Sequence, residues 1–195
     1  MLKIAVLCSK RAPGLETLLA HRGDTYDVVS VLAAHSGTPY TTHPIFAPRR
    51  EYDAATRKIL RAARADIVLL LGYTYIVTDV LLSEFRILNI HDSDLRLTGP
   101  DGERRYTGLH STRDAILAGE KETRSTLHVV TEKLDGGPIL NVSRAYPVAP
   151  FVHEAASAGH TDIVKAYAYA QREWMMRDCW GEMLVSALSR AEAAA

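Results

Sequence analysis

Cysteine is nearly absent from the sequence, and so is any long apolar run. The two cysteines, Cys8 and Cys179, are far apart and share no metal-binding spacing, so they are typical of reduced thiols in the cytoplasm. No apolar run approaches the roughly 20 residues that span a bilayer, and the first residues lack the cleavage site of a signal peptide. We therefore expect a cytoplasmic protein without disulfides, without a cysteine-bound metal and without a membrane partner.

An excess of charge of either sign is also missing. Lys and Arg total 23, Asp and Glu total 23, and the formal net charge is zero. Nucleic-acid-binding proteins usually show a basic excess or stripe, so no nucleic-acid partner is expected. Apolar residues at 47% and charged residues at 24% are ordinary for a globular protein. The length of 195 residues predicts one domain that is large enough to bury a core.

Three short apolar runs in the first half of the chain predict buried strands. They are 3–8, 27–33 and 65–72, and the last is the most hydrophobic, so it is expected at the centre of the sheet. Helical patterns lie between and after them at 15–21 and 51–63. Strands that alternate with helices through short connections are typical of an α/β fold with a mostly parallel sheet.

The second half of the chain has a different pattern. Strands predicted at 126–130 and 139–148 are separated by the Gly-rich turn 135–138, which favours antiparallel pairing. The segment 96–107 is polar, and its Pro-Asp-Gly turn predicts a small hairpin. From 162 to 190, apolar residues recur at helical spacing. This terminal helix packs either on its own sheet or on a second subunit, so the sequence leaves a homodimer open.

The stretch 87–94 is the most informative one for function. As a strand it places Asn89 and His91, two residues apart, on the same face. Reactive groups gather at the carboxyl ends of strands in open α/β sheets, and the downstream turn can bring Asp135 to the same place. Together these side chains suit proton transfer and the binding of an oxyanion. The alternative is an Asn and a His that are buried with their hydrogen bonds satisfied.

Two basic segments are candidates for binding an anion. Lys10 and Arg11 lie in the loop between the first strand and the first helix, where free backbone N–H groups also favour anions. Arg49 and Arg50 precede the second helix. In both segments an exposed, solvated side chain is the alternative interpretation.

Three motifs, in this order along the chain, resemble those of the folate-dependent formyltransferase family. They are Ile87-Leu-Asn-Ile-His91, Gly108-Leu-His110 and Leu134-Asp-Gly-Gly-Pro-Ile139. The resemblance extends over about 2–148 and is nearest to the purine-biosynthetic members. It implies a Rossmann-like formyltransferase fold, in which a mostly parallel central sheet has helices on both faces and a C-terminal helical segment follows. It also implies a single formyltransferase domain over 1–195, with an α/β core at 1–148 and a helical extension at 149–195.

The same resemblance implies a reaction and its catalytic residues. The formyl group of the co-substrate 10-formyltetrahydrofolate passes to a primary amine of a small substrate, and no metal takes part. Asn89 and protonated His91 would donate to the oxyanion of the tetrahedral intermediate. Asp135 would pair with His91 and move a proton through a water.

The resemblance also assigns residues to the two substrates. Folate would lie against the backbone after the central strand and against the loop before Asp135. The residues implied for folate are Tyr73, Thr74, Tyr75, Ile76, Val77 and Leu134. The residues implied for the amine substrate are Lys10, Arg11, Gly14, Arg49 and His110.

The sequence departs from the purine-biosynthetic members in three places. Their phosphate-binding Gly-Asn-Gly-Ser-Asn loop reads Lys10-Arg-Ala-Pro-Gly14 here, and Pro13 removes one N–H donor. Asp92 replaces a proline, and an insertion lies before Tyr106. Thr112 stands where a second His is common. The folate half of the site is thus better preserved than the acceptor half.

These differences leave the acceptor open. Glycinamide ribonucleotide is one candidate, and an amino sugar, a modified amino acid or a natural-product intermediate is another. The alternative functions are hydrolysis of the formyl donor and the binding of folate or a nucleotide without catalysis. The expected partners are folate and a small-molecule amine.

Overall fold

Within residues 1–192, which the computed structural model describes, the chain forms nine strands and six helices. The elements of the first half are β1 (Leu2–Cys8), α1 (Leu15–Ala20), β2 (Tyr26–Ala33), β3 (Thr41–Thr42), α2 (Arg49–Ala62), β4 (Ile67–Leu70), α3 (Asp79–Leu82) and β5 (Arg86–His91). Those of the second half are α4 (Ser111–Leu117), β6 (Glu122–Thr123), β7 (Thr126–Val129), β8 (Ile139–Val142), β9 (Tyr146–Pro147), α5 (Pro150–Ser157) and α6 (Thr161–Glu192).

Seven of the strands form one sheet in the order β3-β2-β1-β4-β5-β7-β8. The pairs from β3 to β5 are parallel, whereas β5–β7 and β7–β8 are antiparallel. The most hydrophobic strand, β4, lies in the middle, as its composition predicts. The mostly parallel sheet and the antiparallel pairing in the second half are both confirmed.

The prediction of one continuous strand over 139–148 is wrong. The structure divides it into β8, which belongs to the main sheet, and β9, which pairs with β6 in a separate two-stranded sheet. The chain leaves the main sheet at Ser143, where the backbone and side chain both bond to Ser125. Only the register of neighbouring strands decides where such a strand ends, so an alternating pattern by itself misses the break.

Side chains that alternate along β1 enter two separate hydrophobic cores. Ile4 and Val6 pack on one face of the sheet with side chains of α1 and α6. Ala5 and Leu7 pack on the opposite face with side chains of α2 and α3. Alternation of period two sends neighbouring residues to opposite faces, and helices therefore cover both faces, as predicted.

The terminal helix α6 packs on the chain's own sheet. Met175, Trp180 and Leu184 lie in the same core as β1 and β4, and the Trp180 indole N–H donates to Ser125 Oγ at 3.0 Å. The sequence leaves open whether this helix packs on its own sheet or on a second subunit, and in the structure it packs on its own sheet. A homodimer and a division of the domain after residue 148 stay predictions, and residues 193–195 lie outside the described part.

Candidate active site

The strand β5 ends at a cavity of about 500 Å³, and Asn89 and His91 both line it. Their positions follow from the strand, because residues two apart face the same side. His91 is only 7% exposed, so its contacts with the protein decide its orientation. Its Nε2 lies 2.9 Å from the backbone oxygen of Tyr106, in the segment that precedes α4.

Asp135 reaches the same cavity from the turn between β7 and β8. Its Oδ2 lies 3.4 Å from His91 Nδ1 and accepts the backbone N–H of Gly108 at 2.8 Å. Asp135 has a φ of 48°, the left-handed region that Asp tolerates better than most residues. The structure therefore brings together the three side chains that the sequence analysis selects.

Both ring nitrogens of His91 face hydrogen-bond acceptors. One ring nitrogen faces the carbonyl oxygen of Tyr106, and the other faces the carboxylate of Asp135. A neutral imidazole has a single N–H and donates to one of them, whereas the imidazolium donates to both. The nitrogen that faces the carboxylate is Nδ1, at 3.4 Å from Asp135 Oδ2.

His128 is a fourth member of this cluster, and the sequence analysis places it only in a strand. In the antiparallel register of β5 and β7 it lies opposite Asn89. Its Nε2 is 3.3 Å from Asn89 Nδ2 and 3.6 Å from Asp135 Oδ1. The alternating pattern of 126–130 predicts which face of the strand carries His128. It does not predict that His128 lies opposite Asn89, because that depends on the register between β5 and β7.

His128 differs from His91 in its electrostatics. Burial lowers the pKa of His128, while the Val129 carbonyl and the Asp135 carboxylate act in the opposite direction. In the neutral ring, Nδ1–H donates to the Val129 oxygen at 3.0 Å and Nε2 accepts an N–H of Asn89. This arrangement fixes the Asn89 amide and leaves its second N–H free to donate.

The residues assigned to folate by resemblance all line the main cavity. The backbone of Tyr73–Val77, directly after β4, forms one wall, and Leu134 lies on the opposite side. Ile76, Leu109 and Leu134 are 65%, 70% and 50% exposed. Exposed apolar side chains on the lining of a cavity are typical of a mouth that receives a flat, partly apolar ligand.

A second cavity, of about 240 Å³, adjoins the first. Gly72, Thr74 and Arg172 line both of them. Lys10 and Arg11, two of the residues assigned to the amine substrate, line the second cavity. Arg11 makes a bidentate ion pair with Glu173 at 2.6 and 2.9 Å, so part of its charge is already matched within the protein.

Three other residues assigned to the amine substrate lie outside the lining of both cavities. Gly14 has a φ of 82° and packs on α6, where an added Cβ would lie 3.0 Å from the backbone nitrogen of Gly181. Arg49 donates to Tyr73 Oη at 3.1 Å and to the Ile76 oxygen at 2.9 Å, and so supports the Tyr73–Val77 wall from outside the cavity. His110 is exposed at the start of α4.

A partly buried ion pair lies where the two cavities meet. Asp92, which directly follows His91 and lines the main cavity, pairs with Arg172 of α6. Burial raises the pKa of Asp92, while the positive charge of Arg172 lowers it. Sequence reasoning finds Asp92 because it stands in place of a proline, but Arg172 lies in a helix 80 residues away and is identified only by the contact.

The described residues contain neither a candidate metal site nor a candidate membrane-spanning helix. Within residues 1–192 the structure holds no group of three or more His, Cys, Asp or Glu side chains placed to bind a metal ion. In the same range no helix combines the length and the apolar character that crossing a membrane requires.

Comparison with known proteins gives the family. A sequence model described as formyl transferase matches residues 3–158. Phosphoribosylglycinamide formyltransferase from Haemophilus influenzae is 30% identical over 77% of this chain and 75% of its own length. The trifunctional purine biosynthetic protein adenosine-3 of Drosophila melanogaster is 33% identical over 76% of this chain, which spans only 12% of that longer protein.

A solved structure supports the fold. The formyltetrahydrofolate deformylase from Pseudomonas syringae pv. tomato superimposes with a TM-score of 0.73 over 97% of this chain and 62% of its own, at 23% identity. At that identity the likeness shows the Rossmann-like fold alone. The family match, which covers most of the chain, confirms the resemblance seen in the three motifs. The chain therefore belongs to the formyl transferase family, a family of folate-dependent enzymes.

Proposed function

We propose that the protein transfers the formyl group of 10-formyltetrahydrofolate to a primary amine of a small substrate. The observation that supports this most strongly is the convergence of Asn89, His91 and Asp135 on one cavity. Its volume of about 500 Å³ lies in the range usual for small-molecule sites. The peptide N–H and C=O groups of Tyr73–Val77 suit the donor and acceptor edge of a pterin.

Attack of the amine on the formyl carbon forms a C–N bond and moves negative charge to the formyl oxygen. The free N–H of Asn89 is placed to donate to that oxygen in a largely buried site. In this proposal His91, whose two ring nitrogens face Tyr106 and Asp135, stabilises the oxyanion through its positive charge. His128 holds the Asn89 amide in the orientation that this role requires. We assign Asn89 and His91 as the oxyanion-stabilising residues.

Collapse of the tetrahedral intermediate breaks its bond to N10 of the folate. The attacking amine must lose one proton, and N10 of the leaving tetrahydrofolate must gain one. The Asp135 carboxylate, 3.4 Å from His91, is placed to accept the first proton through a water. Overall the formyl group moves from one nitrogen to another with no net change in protons.

The second cavity supports an acceptor that bears an anionic group. Lys10 supplies positive charge there, and Arg11 and Arg172 add to it although Glu173 and Asp92 match part of their charge. A phosphate or a carboxylate would fit this lining. Glycinamide ribonucleotide satisfies that requirement, and so does an amino sugar phosphate or a modified amino acid. Because the loop 10–14 lacks the glycine cradle, we propose that side chains rather than backbone groups bind the anion.

Hydrolysis of 10-formyltetrahydrofolate is a second candidate function. Water can replace the amine in the same site, and a formyltetrahydrofolate deformylase has the same fold. The basic second cavity favours transfer, since water as acceptor has no need of an anion site.

The release of tetrahydrofolate from 10-formyltetrahydrofolate separates the two functions. We expect release to depend on the added amine, and we would compare glycinamide ribonucleotide with amino sugar phosphates and amino acids. Strong stimulation by one of them identifies the acceptor. Release at an unchanged rate without any amine, with formate as product, would show that the protein is a hydrolase.

Acid should destabilise the protein through His128. Burial lowers the pKa of His128 in the folded state, whereas in the unfolded chain the pKa has its usual value of about 6.5. The unfolded state then binds more protons just below that value, and the free energy of unfolding falls as pH falls, by at most about 1.4 kcal/mol per pH unit per proton. Replacing His128 by Gln should flatten this dependence in urea unfolding between pH 5 and 7.5.

The variant His43→Gln is a matched control for that measurement. Burial also lowers the pKa of His43, which bonds to Thr56 far from the cluster. Its loss should flatten the stability profile in the same direction but leave kcat unchanged, whereas His128→Gln should also lower kcat because it loosens the Asn89 amide. Equal kcat values for wild type and His128→Gln would contradict the positioning of Asn89 by His128.

A further inference from the structure

A small hairpin at 97–105 lies beside the candidate active site. The N–H of Arg105 donates to the Leu97 oxygen at 3.0 Å, and the N–H of Gly99 donates to the Glu103 oxygen at 2.7 Å. Thr98 and Arg104 form an antiparallel bridge between its two sides. The hairpin predicted from the polar segment is therefore present.

One side chain of the hairpin contacts the turn that holds Asp135. The Arg104 guanidinium donates from Nη1 to the Asp135 backbone oxygen and from Nη2 to the Gly137 backbone oxygen, the latter at 2.8 Å. Both contacts are to main-chain atoms, so they constrain the path of the turn rather than the rotamer of the Asp135 carboxylate. A planar guanidinium that donates to two acceptors fixes their relative position more strictly than one bond does.

The turn is a segment whose position needs such support. Asp135 adopts a left-handed φ of 48°, which is unfavourable for a residue with a Cβ. Gly137 lies so close to β7 that an added Cβ would be 1.9 Å from the Val129 oxygen. The carbonyl groups of Asp135 and Gly137 accept from Arg104, which supplies donors that a sheet would otherwise provide.

The same stretch of chain also contacts the partner of Asp135. Tyr106, directly after the hairpin, accepts the Nε2–H of His91 through its backbone oxygen, and that oxygen also accepts Ser93 Oγ–H at 2.6 Å. Residues 104 and 106 thus set the positions of Asp135 and His91 from a single segment. A second tie between hairpin and turn, the Lys133–Glu103 ion pair, has both side chains more than half exposed and contributes little.

We propose that Arg104 is a positioning residue, which holds the Asp135 turn at the distance from His91 that proton transfer requires. The inference rests on the proposed function for its catalytic consequence, but its structural part can be measured without turnover. Arg104 lines neither cavity in the structure, so it acts on the reaction through other residues, and its two hydrogen bonds go to the Asp135 turn.

Three variants of the full-length protein test the proposal. Arg104→Met removes both donors and keeps the length of the side chain, Arg104→Lys keeps a charge and a donor, and Glu103→Gln breaks only the exposed ion pair. Hydrogen–deuterium exchange of 133–137 reports the turn, and steady-state kinetics report the reaction. Melting temperatures confirm that each variant is folded.

Arg104→Met should raise exchange in the turn and lower kcat by about 10- to 100-fold, with KM for both substrates nearly unchanged, because a catalytic group is misplaced while binding is retained. Arg104→Lys should recover much of kcat, and Glu103→Gln should match wild type. Unchanged exchange in Arg104→Met overturns the proposal, and so does raised exchange with normal kcat. If wild type forms no formylated amine, the proposed function fails, while the exchange data still decide whether Arg104 holds the turn.

Discussion

Replacing His91 by Ala is expected to lower kcat for formyl transfer by about 10²- to 10⁴-fold. In the proposed mechanism the side chain stabilises the oxyanion by its charge, and in the structure it pairs with Asp135 at 3.4 Å; alanine does neither. Folate affinity should change little, because the wall of Tyr73–Val77 lies on other elements of the cavity. The measurement is amine-dependent release of tetrahydrofolate, with folate binding followed separately by fluorescence titration.

A matched control is His160→Ala, which removes an exposed histidine near the start of α6. It should retain wild-type kcat. Because His91 is buried, its replacement leaves a small void, and a melting temperature must confirm that the variant is folded at the assay temperature. Unchanged transfer by a folded His91→Ala protein would exclude the role assigned to His91.

Asp135→Asn should lower kcat by a comparable factor, about 10²- to 10⁴-fold. Asparagine tolerates the left-handed backbone of this position, and its side-chain oxygen can still accept the Gly108 N–H. It has no charge to stabilise protonated His91 and cannot take up a proton. The loss therefore reports the chemistry of the carboxylate and not a collapse of the turn.

Asp24→Asn, at an exposed position in the turn before β2, is the control for this substitution and should behave as wild type. The double variant His91→Ala/Asp135→Asn should lose little more activity than either single variant, since side chains that act as a unit are not additive. Near-normal kcat in Asp135→Asn would mean that another base accepts the proton, and losses that multiply would mean that the two residues act independently.

The catalytic cluster shows how far a sequence can lead. The spacing of Asn89 and His91 predicts their common face because strand periodicity is a local property. The Gly-rich turn at 135–138 predicts a return of the chain near that strand, and the structure places Asp135 there. His128 is different, because its place opposite Asn89 depends on which residues of two strands pair.

Some of the residues predicted to bind a ligand line the cavities in the structure, and others do not. The backbone segment 73–77 follows directly from the end of the central strand, and it lines the main cavity as expected. Gly14 instead packs against α6, and Arg49 donates a hydrogen bond to the backbone of the Tyr73–Val77 wall. A basic or glycine residue near a helix start looks the same in the sequence whether it faces a ligand or a neighbouring helix.

The sequence by itself determined the α/β class, the alternation that fills two cores and the strand on which the reactive side chains lie, because each depends on neighbours along the chain. Only the tertiary structure decided that His128 fixes Asn89, that Arg172 meets Asp92 and that Arg104 holds the Asp135 turn. These contacts join residues about 30 to 80 positions apart, and they depend on strand register and helix packing, which no local pattern specifies.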